Sequence, residues 1–136
     1  MSQSPHFLEP LLTKAAPVLA LYVSGRNTPV ATTVEVAFSS DDRLRGLLGR
    51  SSLPSDSALI IAPCNAVHTF RMQFAIDVVY AARDGQILKV VRAMRANRIS
   101  GAIGAFATIE FAAGSASRAE LKRGQVLRVA PVANLP

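Results

Sequence analysis

The sequence predicts a mainly β protein: a single-domain distorted β-barrel or jelly-roll-like sandwich of about seven strands, with one short helix packed on it. Three observations carry this. Short apolar or alternating runs recur along the chain, each bounded by clusters of Gly, Pro, Asn, Asp and Ser. Only one segment combines a strong helix start with an apolar stripe at helical spacing. No strand–helix–strand rhythm and no internal repeat is visible, which favours antiparallel hairpins.

The elements follow in order. Residues 1–16 read as a flexible N-terminal tail and 17–136 as one β domain. Pro17 to Val23 (PVLALYV) is the first strand, ended by the turn cluster SGRNTP. Thr32 to Phe38 alternates, with Val34, Val36 and Phe38 on one face and Thr33, Glu35 and Ala37 on the other. Ser40 then offers an N-cap, with Asp41 and Asp42 in the first turn, where carboxylates meet the positive end of the helix dipole. Leu44, Leu47 and Leu48 form the apolar stripe, and Gly49 is the expected stop. Gly46 inside this helix costs it about 1 kcal/mol relative to Ala.

Ala58 to Ala62 has the continuous apolar run of a buried strand. Cys64 to Phe74 reads as an irregular or bulged passage leading into the strand AIDVVYAA. The Asp-Gly of RDGQ suits a tight hairpin turn, and QILKVVRAM is the return strand. NRISGAIGAF, with two glycines and no firm period, reads as loop. Ala107 to Gly114 is a further strand, SASRAEL a helical turn capped by Ser115, KRGQ a turn, and VLRVA the closing strand.

Composition narrows the function classes. The chain has 136 residues, half of them hydrophobic and 18% charged, enough to bury a core without disulfide or metal staples. A net charge of +6, with twelve arginines against three lysines, fits a small polar or anionic ligand, because the guanidinium fork recognises carboxylate and phosphate. Nucleic acid is disfavoured: aromatics are 6%, Trp is absent, and the basic residues are scattered, the nearest approach to a patch being Arg92, Arg95 and Arg98. One cysteine supports neither a disulfide nor a thiolate zinc cage, which fits a reducing compartment. No run approaches the ~20 apolar residues of a membrane span. Ala15 to Val23 is too short and is broken by Pro17, so no signal peptide is expected and the default location is the cytoplasm.

The chemistry-bearing residues concentrate in CNAVHTFRMQFAIDVVY, Cys64 to Tyr80. Cys64, His68 and Asp77 could supply nucleophile, base and orienter. Cys64 follows a proline rather than opening a helix, however, and reads better as a small buried hydrophobe. Asp77 is flanked by Ile76 and Val78. Strand alternation either turns it to solvent, or it pairs with backbone N–H groups or with Arg43, Arg45, Arg50 or Arg71. His68 and Met72 flank Phe70 in a stretch that either plugs the end of the sheet or edges a pocket. With only Asp77 and Glu110 as further ligands and no HxH or HxxxH spacing, no metal site and no cofactor is expected. GLLGR lacks the spacing of a phosphate loop.

Together the segments VEVAFSSDDRLRGLLGRSSLP, VHTFRMQFAIDVVYAARDGQILKVV, IEFAAG and LKRGQVLRV, in this order over about residues 34–129, resemble the family known as domain of unknown function 192. The resemblance rests on Arg43, Gly46, Leu47, Gly49 and Arg50, then His68, Met72, Ile76 and Asp77, then Glu110, Gly114 and Gly124. It implies a compact, mostly β fold with a helix packed on it and supplies no activity; many relatives are exported or membrane-tethered. Leu48 stands where the family has Met, Ala75 where it has Pro before the Ile-Asp pair, and Gln125 where it has Asp.

The expected function is accordingly a small ligand-binding or accessory module, with a polar pocket formed by Arg43, Arg50, His68, Met72, Asp77 and Glu110. The alternatives are a structural protein with no ligand and a hydrolase-type enzyme using Asp77 and Glu110 as acid and base.

Overall fold

A computed structural model describes residues 5–12 and 18–132. The chain runs β1 (Leu19–Val23), β2 (Thr33–Ala37), α1 (Ser40–Arg45), β3 (Ser57–Ile61), β4 (Ala66–His68), β5 (Ile76–Ala81), β6 (Ile87–Met94), β7 (Ile99–Gly101), β8 (Ala107–Ala112), α2 (Ser115–Arg118) and β9 (Leu127–Pro131). The protein is mainly β, as expected. A five-stranded sheet in the order β2-β3-β8-β5-β6 forms the centre, with two-stranded ribbons β1-β9 and β4-β7 beside it. These sheets do not close into a barrel; the arrangement is a distorted sandwich.

The central strands are apolar on both sides because both faces of the sheet are covered. All residues of β3 and β5 are buried. One face packs against the β1-β9 ribbon: Ala58, Ile60, Val79, Ile109 and Phe111 meet Leu21, Val23, Leu127 and Val129. The other face carries Leu59, Ile61, Ile76, Val78 and Tyr80 under Leu47, Leu53, Met72 and Met94. Alternation along each strand therefore feeds two separate cores.

Several sequence expectations change here. β2 and β3 are parallel neighbours, Thr33 opposite Ser57 through Ala37 opposite Ile61, so α1 lies in a crossover that the absence of a β-α-β rhythm had argued against. A single crossover leaves no periodic trace. The N-cap is Ser39, whose Oγ accepts from the Asp42 N–H, and the helix stops at Gly46 (φ 48) instead of Gly49. Leu44 consequently leaves the expected stripe and is 79% exposed, whereas Leu47 is buried just beyond the helix. The loop expected around residue 100 contains β7, which pairs with β4 from the irregular passage. Local pattern misses such short strands, since three residues hold no period.

Of the expected tail, residues 5–12 pack on the domain: Leu8 is buried in the first core and the Phe7 N–H donates to the Arg83 carbonyl. Residues 1–4 and 13–16 lie outside the described residues. No described helix is long and apolar enough to cross a membrane.

Candidate functional site

The register of β5 on β8 decides which polar groups can meet. Asp77 stands opposite Phe111 and Val78 opposite Glu110. Side chains directly opposite one another share a face. Phe111 belongs to the first core and Val78 to the second, so Asp77 and Glu110 project from opposite faces of the sheet. The expected acid/base pairing of these two carboxylates is overturned on that ground.

Asp77 is 1% exposed and its carboxylate is saturated by backbone donors. Oδ1 accepts from Ala93 N–H at 2.8 Å; Oδ2 accepts from Gly114 and Ala116 N–H at 3.0 and 2.8 Å. Ala93 sits where β6 carries an extra residue against β5, in a positive-φ conformation (φ 50). Gly114 is the N-cap of α2, where Ser115 had been expected, and has no side chain to cap with. Asp77 thus caps α2 from a neighbouring strand and holds the β6 bulge. It lines no ligand cavity with His68; it fastens the fold.

Glu110 has the opposite surroundings. It rises from β8 beneath the β2–α1–β3 crossover, 5% exposed, and no hydrogen bond reaches its carboxylate among the described residues. At the C-cap of α1, Gly46 comes so close that a Cβ there would lie 3.6 Å from Oε1. The opposite wall is the passage after β3. Thr69 ties that passage down: its Oγ1 donates to the Arg95 carbonyl and accepts from Arg98 N–H at 2.9 Å. Thr108 ties its start, donating to the Cys64 carbonyl at 3.0 Å.

Between these walls is a cavity of about 180 Å³, with Glu110 at its floor, Leu47, Ile61 and Met72 on its sides, and Arg43, Arg45 and His68 around its opening. Burial pushes the Glu110 carboxyl up to about 7, with the positive charge of Arg50 opposing. Burial likewise raises the Tyr80 phenol above its ordinary value. Arg43 spends one N–H on the Phe38 carbonyl at 2.6 Å. His68 stacks on Phe70 at 4.9 Å between centroids, and its Nδ1 accepts from Phe70 N–H at 3.3 Å.

Of the expected pocket residues, Arg43, His68, Met72 and Glu110 are brought together here. Arg50 stands behind them, its guanidinium donating to both carboxylate oxygens of Glu35 at 2.9 and 3.0 Å. That hydrogen bonding holds Glu35 below its usual range. Asp77 is absent from the lining, for the reason given. Cys64, which had been assigned to packing, lines the cavity as a free thiol whose Sγ lies 3.2 Å from the Ala66 carbonyl. Arg45 also lines the cavity; the sequence had offered it as a partner for Asp77 or a brace of the helix, with a ligand-facing role open for one of Arg43, Arg45 and Arg50. Its place next to Gly46 was the available signal. Among the described residues, no group of three His, Cys, Asp or Glu side chains is placed to hold a metal ion.

A sandwich with a single parallel crossover roofing a carboxylate-floored cavity is the class of protein that this fold and site define. Within that class, residues 22–129 match the profile of the family described as uncharacterised ACR, domain of unknown function 192, and the chain belongs to that family. The match starts before the segment on which the resemblance had been recognised. Two solved structures share the fold. One is a protein of unknown function from Novosphingobium aromaticivorans, with TM-score 0.69, 18% identity, and coverage of 80% of this chain and 83% of that one. The other, from Sinorhizobium meliloti, is described as a candidate transcription regulator, with TM-score 0.71, 19% identity, and coverage of 82% and 91%. No curated protein matches the chain.

Proposed function

We propose that the protein is a small-molecule binding module whose site is the cavity between α1 and the Cys64–Met72 passage. The observation that carries this reading is Glu110: a side chain 5% exposed, without a hydrogen-bond partner among the described residues, at the floor of an open cavity. A fold gains nothing from burying a lone carboxyl, because leaving such a group unpaired costs free energy. A ligand that hydrogen-bonds it repays that cost.

Size and charge limit the ligand. A volume of about 180 Å³ is close to that of a ~150 Å³ cavity that takes benzene, so the site suits a molecule of about that size. Arg43 and Arg45 at the opening favour an anionic end there. The structural reading, with no ligand, accounts for Asp77 but leaves Glu110 unexplained.

A thermal-shift screen of small polar acids and alcohols, run on the parent and on Gly46→Ala, tests the proposal. The added methyl group lies against the Glu110 floor, so compounds that stabilise the parent are expected to lose their effect in the variant. Equal stabilisation of both proteins would place binding elsewhere and sink the reading.

A further inference from the structure

The charges around the cavity are ordered along its depth, and that order identifies a ligand class. At the floor stands one carboxyl group that no donor among the described residues satisfies. At the opening stand two guanidinium groups, with Arg45 exposed and Arg43 half-buried. Between them the sides are apolar, formed by Leu47, Ile61 and Met72. An anion alone would satisfy the opening and meet repulsion at the floor. A simple amine would satisfy the floor but would have to sit beneath two cations.

We infer that the cavity takes a compact zwitterion of the amino-acid class, its ammonium donating to Glu110 and its carboxylate held by Arg43 and Arg45, with a short side chain against Met72. This rests on the binding reading above and adds the polarity of the ligand to it. The ammonium supplies the donors that the Glu110 carboxylate lacks among the described residues, and the carboxylate supplies the counter-charge that Arg43 and Arg45 lack among them. The volume suits a zwitterion with a short side chain.

The pH dependence has a definite sign. The groups facing Glu110 are Arg43 and Arg45 on α1, Arg50 beyond it, Cys64 and His68 on the opposite wall, and Tyr80 on β5. An ammonium needs Glu110 ionised. With its carboxyl near 7, the ionised fraction rises about tenfold from pH 6 to pH 8. A ligand with a carboxylate and no donor responds in the opposite sense, since it prefers the protonated floor.

The test compares four molecules of similar size, L-alanine, L-lactate, propionate and ethylamine, by amide NMR titration at pH 6 and pH 8. The parent protein, Glu110→Gln and Arg45→Ala are each titrated. At pH 8 alanine is expected to shift the amides of Gly46 and Val67 and to bind about tenfold more tightly than propionate, lactate or ethylamine. Its affinity should fall severalfold at pH 6 while that of propionate rises. Glu110→Gln should erase the preference for alanine over propionate. Arg45→Ala, a change at an exposed side chain that keeps the fold, should weaken alanine, lactate and propionate and spare ethylamine.

Propionate or lactate binding as tightly as alanine at pH 8, or alanine affinity that does not change with pH, overturns the zwitterion and leaves the binding reading standing. If none of the four molecules moves the amides of Gly46 or Val67, both fall together.

Discussion

Replacing Asp77 probes whether a single carboxylate holds three parts of the structure together. Its oxygens accept from the backbone N–H groups of Ala93, Gly114 and Ala116, and the side chain is 1% exposed. Asp77→Asn keeps the shape but has one acceptor oxygen. Placed at the Oδ2 position, that oxygen retains the bonds from Gly114 and Ala116, and the amide NH2 then confronts the Ala93 N–H, donor against donor. One lost charge-assisted bond and one buried donor left unpaired cost about 2 kcal/mol. Asp77→Ala removes all three acceptor contacts and costs about 4 kcal/mol, a large share of the ~5–15 kcal/mol that stabilises a typical domain. Urea unfolding, with the m-value checked for constancy, measures both. Hydrogen exchange should show the amides of Ala93 and Ala116 losing protection first. The reasoning fails if the Asn variant unfolds within about 0.5 kcal/mol of the parent, the ordinary range for a surface change.

Three further outcomes are expected. Glu110 is protonated in the folded state and ionised in the unfolded one between its ordinary value of 4.5 and about 7, so its contribution to stability declines as pH rises through that window and is flat above it. The span amounts to about 3 kcal/mol, and Glu110→Gln should remove this slope from a plot of stability against pH and melt later than the parent at pH 8. Gly46→Ala places a side chain at φ 48, and chemical unfolding should show a loss of about 1 kcal/mol. Leu47→Ala should cost about 2–5 kcal/mol, whereas Leu44→Ala, three residues earlier and 79% exposed, should stay within about 0.5 kcal/mol; equal losses at the two positions would restore the apolar stripe read from the sequence.

How much of this was legible beforehand depends on range. The strands with several residues of clear pattern, such as Ser57–Ile61 and Ile76–Ala81, stand where their apolar runs place them, because burial on both faces leaves a local trace. Helix α1 ends early for a reason that is also local but was misjudged: Gly46 takes a positive φ and acts as a stop, when it had been treated as a weak interior position. The parallel pairing of β2 with β3 could not be read, since the intervening chain carries only a six-residue helix.

The candidate site divides in the same way. Arg43, His68, Met72 and Glu110 were named as one group, and the cavity joins them. Asp77 was named with them because residue type suggests chemistry, yet which face of β5 it occupies depends on its register with β8, a non-local property. The same side chain caps a helix that lies 37 positions away in sequence at Gly114, and no spacing rule reaches that far.

The sheet that separates Asp77 from Glu110 has an evolutionary consequence. Substitutions on one side of β5 and β8 alter the fastening of the fold, and substitutions on the other alter the cavity. The two sets share the backbone but few side-chain neighbours, so their effects should add with little coupling. If the cavity binds as proposed, a lineage could exchange Met72, His68 or Arg45 to suit a new molecule without renegotiating the bonds around Asp77. Specificity can drift while the architecture stays put, and two structures under 20% identical to this chain retain its fold.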